Sequence, residues 1–462
     1  MSYIWQLGSE GYKMSGLSDS KYINNIEEKV FKAVSVIFII SAIVMPPYFG
    51  IPAPGFDLTA VRMLIIALMI MICAKRERLY DFLPMIKYNG VFLATAPYIF
   101  VITYTMVLRT DLKAFLNPFI EFLILFLAIY VIRRSLGVDT TVRIILGCYY
   151  LLAIEGIIEY FLGYSLFYYL KTLDGALSSG IFVRNGHYRI VGPAAHALGY
   201  GLMLNVALPL TCLDLKNNKF YMFQRPLLFF MLIINIVFTG SRSSFAVMGV
   251  EIIGIFLFSA KMEKKRTLIT GTIAIVVIGV LLIALSGTSV GGYFMLQITG
   301  VIDELFDTSL SVKYGATLGT KTSSDYRDYL WYVFKVNWLN PLLGLGRSRP
   351  FSTVINGVTL KSLDNHYIGE YVRYAYPGMF SILLFFVVML FMMLKKIIKD
   401  RDAYTKAFFL GSLSYMIALY YVDSLGTLKY LYLFFALFIS YAPEQFVTRI
   451  KNKTSKYMKL TI

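Results

Sequence analysis

The stretch that decides the fold is "SLDNHYIGEYVRYAYPGMFSILLFF" (residues 362–386), which begins polar and ends as apolar as a bilayer interior. Asp364, Asn365 and His366 stand side by side, Glu370 and Arg373 follow among tyrosines, and after Pro377-Gly378 almost nothing polar occurs until Lys395. An uninterrupted apolar run of this length crosses about 30 Å of hydrocarbon, so it predicts a transmembrane helix with a polar cluster at one end.

Working outward, the same pattern recurs along all 462 residues. The composition is 58% hydrophobic and only 15% charged, against roughly 25% charged in ordinary soluble domains. The mean hydropathy is +0.66. These features predict an all-α polytopic membrane protein of about twelve spans, at roughly 31–49, 57–73, 90–108, 117–132, 142–162, 194–213, 226–240, 243–260, 267–286, 377–394, 404–422 and 425–442. The expected organisation is a cytoplasmic tail over 1–30, spans 1–9 within 31–286, a large external loop over 287–376, spans 10–12 within 377–442, and a basic cytoplasmic tail over 443–462. A smaller external loop covers 163–193.

The net charge of +17 is not read as a nucleic-acid footprint, because the basic residues cluster in alternate loops. Lys75, Arg76 and Arg78 form one group, Arg133 and Arg134 another, and Lys261, Lys264, Lys265 and Arg266 a third. By the positive-inside rule these loops and both termini face the cytoplasm. The 287–376 loop, and with it Asp364 to His366, then faces the outside. Cys73, Cys148 and Cys212 have no metal or disulfide spacing and are read as small hydrophobes. Some thirty polar residues before the first span give no cleavable signal peptide.

At about 90 residues, the larger external loop exceeds ordinary connector length and is expected to be functional. In it, Tyr326, Leu330, Val333 and Phe334 recur near helical spacing, predicting a helix that ends at Asn340-Pro341. No P-loop, dinucleotide fingerprint, nucleophile elbow or HExxH is present, so nucleotide-dependent and zinc chemistry are disfavoured and no cofactor or metal is expected.

The candidate site residues are arginines and the opening cluster. Arg242, flanked by Ser241, Ser243 and Ser244 in "VFTGSRSSFAVMGV" (237–250), sits in a short turn between spans, where an unpaired charge costs roughly 2.5–3.5 kcal/mol. Hydroxyls and amides at a helix start suit an anion; snorkelling to headgroups is the plain alternative. Arg327 opens the aromatic helix and could simply pair with Asp325 or Asp328. Arg184 and Arg189 precede a span in the smaller loop and could be headgroup anchors. Arg347 and Arg349 are read as solvated, as are Asp303, Glu304 and Asp307. In the opening stretch, Asp364 or Asn365 would cap the helix, while Tyr367, Tyr371 and Tyr374 would form an interfacial belt. The same cluster also suits general-base work, with Asp364 or His366 taking a hydroxyl proton.

The order "TGSRSSF", "YRDYLW", "NPLLGLG" and "DNHYIGEYVRYAYPGMF", with "YRIVGPAAHALGYGLML" upstream, resembles the O-antigen polymerase/O-antigen ligase family over about residues 189–380. Two positions depart from it. Asp364 stands where ligases carry His, and Ala375 replaces the first glycine of a Gly-x-x-Gly pair. The resemblance implies a metal-independent polysaccharide polymerase in the bacterial inner membrane, facing the periplasm or cell exterior. Undecaprenyl-diphosphate-linked oligosaccharide is the implied donor and acceptor, and a chain-length regulator and a flippase are implied partners. It assigns catalysis to Asp364, His366, Arg242 and Arg327, and substrate binding to Arg189, Arg184, Ser241, Ser243, Asn365 and Tyr367. The alternatives are a ligase acting on a lipid-core or cell-wall acceptor, and a lipid-linked oligosaccharide flippase.

Overall fold

A computed structural model describes residues 16–53, 57–88, 91–173, 182–306, 308–316, 326–355, 357–424 and 426–441. The expected tail over 443–462, Asp325 and Asp307, and the side chain of Glu304, lie outside the described residues. The chain is predominantly α-helical, and its described strands form four two-stranded hairpins. Among the described residues four helices are long and apolar enough to cross a membrane: Val91–Arg109, Leu112–Leu136, Val138–Leu162 and His366–Asp400. Shorter apolar helices cover Ala60–Cys73, Ala197–Cys212, Pro226–Phe238 and Leu428–Ser440.

Short polar side chains set the helix starts. Thr59 accepts from Arg62 N, Asp111 from Lys113 N and Ala114 N, Ser241 from Ser244 N, and Asp402 from Thr405 N. Each satisfies amides that the first helical turn leaves without an internal partner.

The Leu428–Ser440 helix is the centre of the bundle. Every residue from Leu428 to Ile439 is buried. A helix that is apolar all round and enclosed by protein need not match the bilayer in length, which explains why thirteen residues suffice here. The Leu112–Val131 helix packs along it, with Phe122 stacked on Tyr432. By contrast Lys261–Leu285 presents Leu268, Ile273, Val280 and Ile283 outward, each more than half exposed, as a lipid-facing helix does.

Polar contacts gather at the two ends of the bundle. At one end Arg78 meets Glu28, Arg134 meets Asp81, Lys396 donates to the Tyr441 carbonyl, and Tyr404 donates to Asp139. At the other lie Asp111, Arg109, Arg347, Glu370 and Asp423. The expected basic loops share the first end; the opening cluster belongs to the second.

Two expectations change. Among the described residues the helix expected to run to Asn340 is α-helical over 326–330, continues as a 3-10 turn over Trp331–Lys335, and is extended at Val336. Aromatic and β-branched residues have weak helix preference, and burial of Leu330, Val333 and Leu339 against Tyr371 and Val372 takes precedence. Asp303 stays partly exposed but is committed to a local turn rather than to solvent alone. Its carboxylate accepts from Thr308 Oγ1, Leu310 N and Ser311 N, and these bonds hold it down at about 2 although its partial burial opposes the charge.

Glu159, fully buried near the end of Val138–Leu162, ties the smaller loop to the bundle by accepting from Val191 N (2.7 Å), Gly192 N (2.9 Å) and Tyr188 Oη (2.8 Å). Glu159→Ala strands two buried amides, at about 1–3 kcal/mol each. Thermal unfolding of the purified protein in detergent should shift down by several degrees, whereas Glu159→Gln, which keeps an acceptor, should lose less.

Candidate functional site

The site is built on a break in the His366–Asp400 helix. Ala375 has φ 57° and ψ −165°, inside what is otherwise continuous helix, and Pro377 follows. Proline has no amide to offer the Arg373 carbonyl, and Tyr376 N turns away to the Pro341 carbonyl (3.2 Å). The two vacated carbonyls accept from the loop instead: Leu345 N to Val372 O at 2.9 Å and Gly346 N to Arg373 O at 3.0 Å.

The motif "NPLLGLGRSR" (340–349) fits this docking residue by residue. Asn340 Oδ1 accepts from Leu342 N and Leu343 N, forming the turn. Gly344 lies so close to the Arg373 and Tyr374 backbone that any Cβ would collide with it. Gly346 adopts φ +82°. Arg109 donates to the Gly344 and Leu343 carbonyls, and Tyr104 to that of Leu342. Asp111, besides capping its own helix, accepts from Arg347 N (2.6 Å), Ser348 N (2.8 Å) and Ser348 Oγ (2.7 Å). Burial works against this carboxylate's charge, but those donors keep its pKa below the usual range.

Arg347 is thereby carried into the protein rather than left in water, contrary to the sequence expectation. Its Nε donates to Tyr374 Oη (2.9 Å) and its Nη2 lies 3.4 Å from Glu370 Oε1. Burial disfavours the guanidinium charge, yet Tyr374 and Glu370 beside it hold the proton more firmly than usual. Tyr374 in turn donates to Ala114 O (2.6 Å), the carbonyl that Pro118 leaves without an amide. Tyr374 is fully buried and Tyr371 nearly so; they line the protein interior, not an interfacial belt.

Glu370 also accepts from Tyr98 Oη and from Arg373 Nη1 (3.2 Å). Arg373 spans to Asp423, whose carboxylate accepts from both of its Nη atoms and from Ser424 N, and lies 3.1 Å from His366 Nδ1. Burial alone would raise the Asp423 pKa; Arg373, followed by His366, holds it well below the usual carboxylate range. This network of two acids, two arginines and a histidine is the kind of constellation in which buried charges are retained because each is paired.

A cavity of about 560 Å³ opens beside it, lined by Arg347, Arg349, Arg373, Lys361, Asp364 and Asp423, with Asn117 and His196 on its walls. A second, smaller cavity of about 130 Å³ lies between Arg327, Asp328, Trp331, Asp364, Asn365 and Tyr420. Asp364 lines both. It is half-buried and accepts from Ser362 Oγ (2.6 Å).

The remaining candidates fall as follows. Asn365, not Asp364, caps the helix, accepting from Ile368 N at 3.1 Å. Tyr367 donates to the Met416 carbonyl. His366 is buried, and its Nε2 finds no hydrogen-bond partner among the described residues. Ser241 is an N-cap whose hydroxyl lies 3.2 Å from that of Ser243. Arg242 begins the Arg242–Phe258 helix and packs against Gly300. Arg189 donates to Thr239 O (2.7 Å) beside that turn, and its Nη2 is buried without a hydrogen-bond partner among the described residues. Burial, with Arg184 nearby, pulls the Arg189 guanidinium down to about 10. His196 lies within electrostatic reach of both Arg189 and Asp364, linking the two groups.

Motifs and spacing alone do not single out Glu370, Arg373, Asp423, Asp111 or Tyr98 as site residues. A signal existed for some of them: Glu370 and Arg373 are spaced i, i+3, and Asp423 is a lone acid in "YYVDSLG" between apolar runs. No protein-family model matches the chain, and no curated protein matches it.

Ala375 holds a backbone conformation that costs a side chain roughly 1–3 kcal/mol and that glycine adopts freely. Ala375→Gly should therefore raise the unfolding midpoint in detergent by a few degrees. Gly344→Ala should lower it and abolish whatever activity depends on the Arg347 cavity.

Proposed function

We propose that the chain is a membrane glycosyltransferase that polymerises lipid-diphosphate-linked oligosaccharide repeat units on the outer face of the bacterial cytoplasmic membrane, as its resemblance to the O-antigen polymerase/ligase family implies. The observation that carries this reading is that one loop walls two unlike spaces. Gly346, Arg347 and Arg349 line the cationic cavity, while Leu342 and Leu343, a few residues earlier, line an open apolar groove of about 520 Å³ with Phe100, Tyr104, Leu108 and Pro377. A ligand with a long apolar tail and an anionic head fits such a pair, and lipid-linked diphosphates have that form. The twelve-span topology, with both ends inside and 287–376 outside, belongs to the same proposal.

In the proposed reaction an acceptor hydroxyl oxygen attacks the anomeric carbon of the donor. Its proton passes to Asp364, the anomeric carbon–oxygen bond breaks, and the electron pair stays on the departing diphosphate. Arg347, Arg349 and Lys361 face that charge in the cavity, with guanidinium forks suited to phosphate, and Arg189 stands beyond His196 as a further cation. Arg242 and Arg327 complete the set of cations assigned to the donor diphosphate. His366 acts as a positioning residue through Asp423. Guanidinium groups can supply the charge neutralisation that a divalent cation supplies elsewhere.

Deleting the gene should leave single lipid-linked repeats outside the cytoplasmic membrane. Unattached full-length polymer would point instead to a ligase, and repeats trapped inside to a flippase. Asp364→Asn should reduce polymer formation by about 10²–10³-fold without changing insertion, and purified protein should remain active in EDTA. With the native cysteines replaced, an impermeant thiol reagent added from outside should modify Ser309→Cys and spare Lys264→Cys; the reverse would overturn the topology.

A further inference from the structure

Trp331 and Tyr420 are large aromatic side chains left 52% and 42% exposed on the same end of the bundle as the cavity. Their rings are in contact, 6.2 Å apart between centroids and tilted by 46°, and together form one aromatic wall of a shallow trough. Asp328, Asp364, Asn365 and Tyr421 also line it, and the Arg327 guanidinium lies 5.8 Å from the centre of the Tyr421 ring. The mixture differs from that of the larger cavity. There, Arg347, Arg349, Arg373 and Lys361 outnumber the acids and suit an anion; here two carboxylates and an amide face a single arginine among aromatic rings. Carboxylate and amide groups take hydrogen bonds from neutral hydroxyls, and aromatic faces accept the weakly positive C–H edge of a sugar ring. The volume, about 130 Å³, is below that of a pocket that encloses a whole small ligand, so the trough takes one ring edge-on.

We infer that this trough is a sugar-binding subsite, and that it seats the terminal sugar of the acceptor with one hydroxyl turned toward Asp364. The assignment rests on the proposed glycosyl transfer for its acceptor role, but not for sugar binding itself. Asp364 is the residue shared by the trough and the cationic cavity. A donor with its diphosphate in the cavity and an acceptor on the aromatic rings would meet at that carboxylate, which is where a base for the hydroxyl proton is required.

Two measurements test it. In steady-state extension of lipid-linked repeats, Trp331→Ala and Tyr420→Ala should raise the acceptor KM about tenfold with kcat within about twofold. Trp331→Phe, which keeps a ring, should stay near the parent. Equal behaviour of Trp331→Ala and Trp331→Phe, or a loss in kcat alone, overturns the acceptor assignment. The second readout needs no polymerising activity. In the full chain carrying Trp5→Phe and Trp338→Phe, the remaining Trp331 emission is titrated with a panel of free hexoses, deoxyhexoses and N-acetylhexosamines. Saturable change with at least one sugar, absent in a Tyr420→Ala, Asp328→Ala double variant, supports the subsite even where extension fails. No saturable change with any of them overturns it. Sugar binding without extension would mean that the subsite stands and the polymerase reading falls.

Discussion

The structure depends on an exchange of backbone hydrogen bonds. The His366–Asp400 helix gives up its bond between Tyr376 and Val372, and Pro377 cannot bond Arg373. Buried carbonyls without partners would each cost on the order of 1–3 kcal/mol. Leu345 and Gly346 supply the missing amides, and the loop that carries them is thereby held at one height against the helix. Arg347 follows immediately, so peptide groups set where its backbone stands, and Tyr374 and Glu370 then hold its guanidinium. Side chains can rotate away; a peptide bonded on two sides cannot.

The same logic joins the other elements. Pro118 frees the Ala114 carbonyl, and Tyr374 fills it while accepting from Arg347. Asp111 caps one helix and clamps the loop of another segment. Two prolines inside apolar helices therefore act as attachment points. Around them, Glu370 and Asp423 are matched by Arg347 and Arg373, which lets a charged network persist inside an apolar bundle. The apolar groove and the cationic cavity owe their proximity to this clamp, since both are bounded by the loop it fixes.

Much of this was legible in the residues. The apolar runs located the helices, because burial by lipid and burial by protein impose the same composition. The capping of His366–Asp400 was readable to within one residue, with Asn365 taking the role that Asp364 could equally have filled. Arg347 was misjudged because a glycine-rich turn with two arginines looks solvated when its docking partner, almost thirty residues later, is not visible locally. Asp423 and Arg373 stand out as charges beside apolar runs, but not as a pair, since fifty residues separate them. The length of the Trp331 helix was overestimated because periodicity reports a buried face, and a 3-10 turn buries nearly the same residues. The Ser241–Arg242 turn reads as an anion site in sequence, whereas Ser241 spends its hydroxyl on its own helix.

The enclosed helix Leu428–Ser440 has a consequence for how the protein is made. At thirteen residues it spans only about 20 Å, too short to settle in a bilayer by itself, and it carries Lys429 at its start, donating weakly to the Met45 carbonyl. Among the described residues it follows in the chain the helices it packs against, including Gly16–Val44, Leu112–Val131 and Ala403–Ala418. Its apolar surface is therefore accepted by helices made before it, and its burial is the closing of a ring around a plug rather than the entry of another independent span.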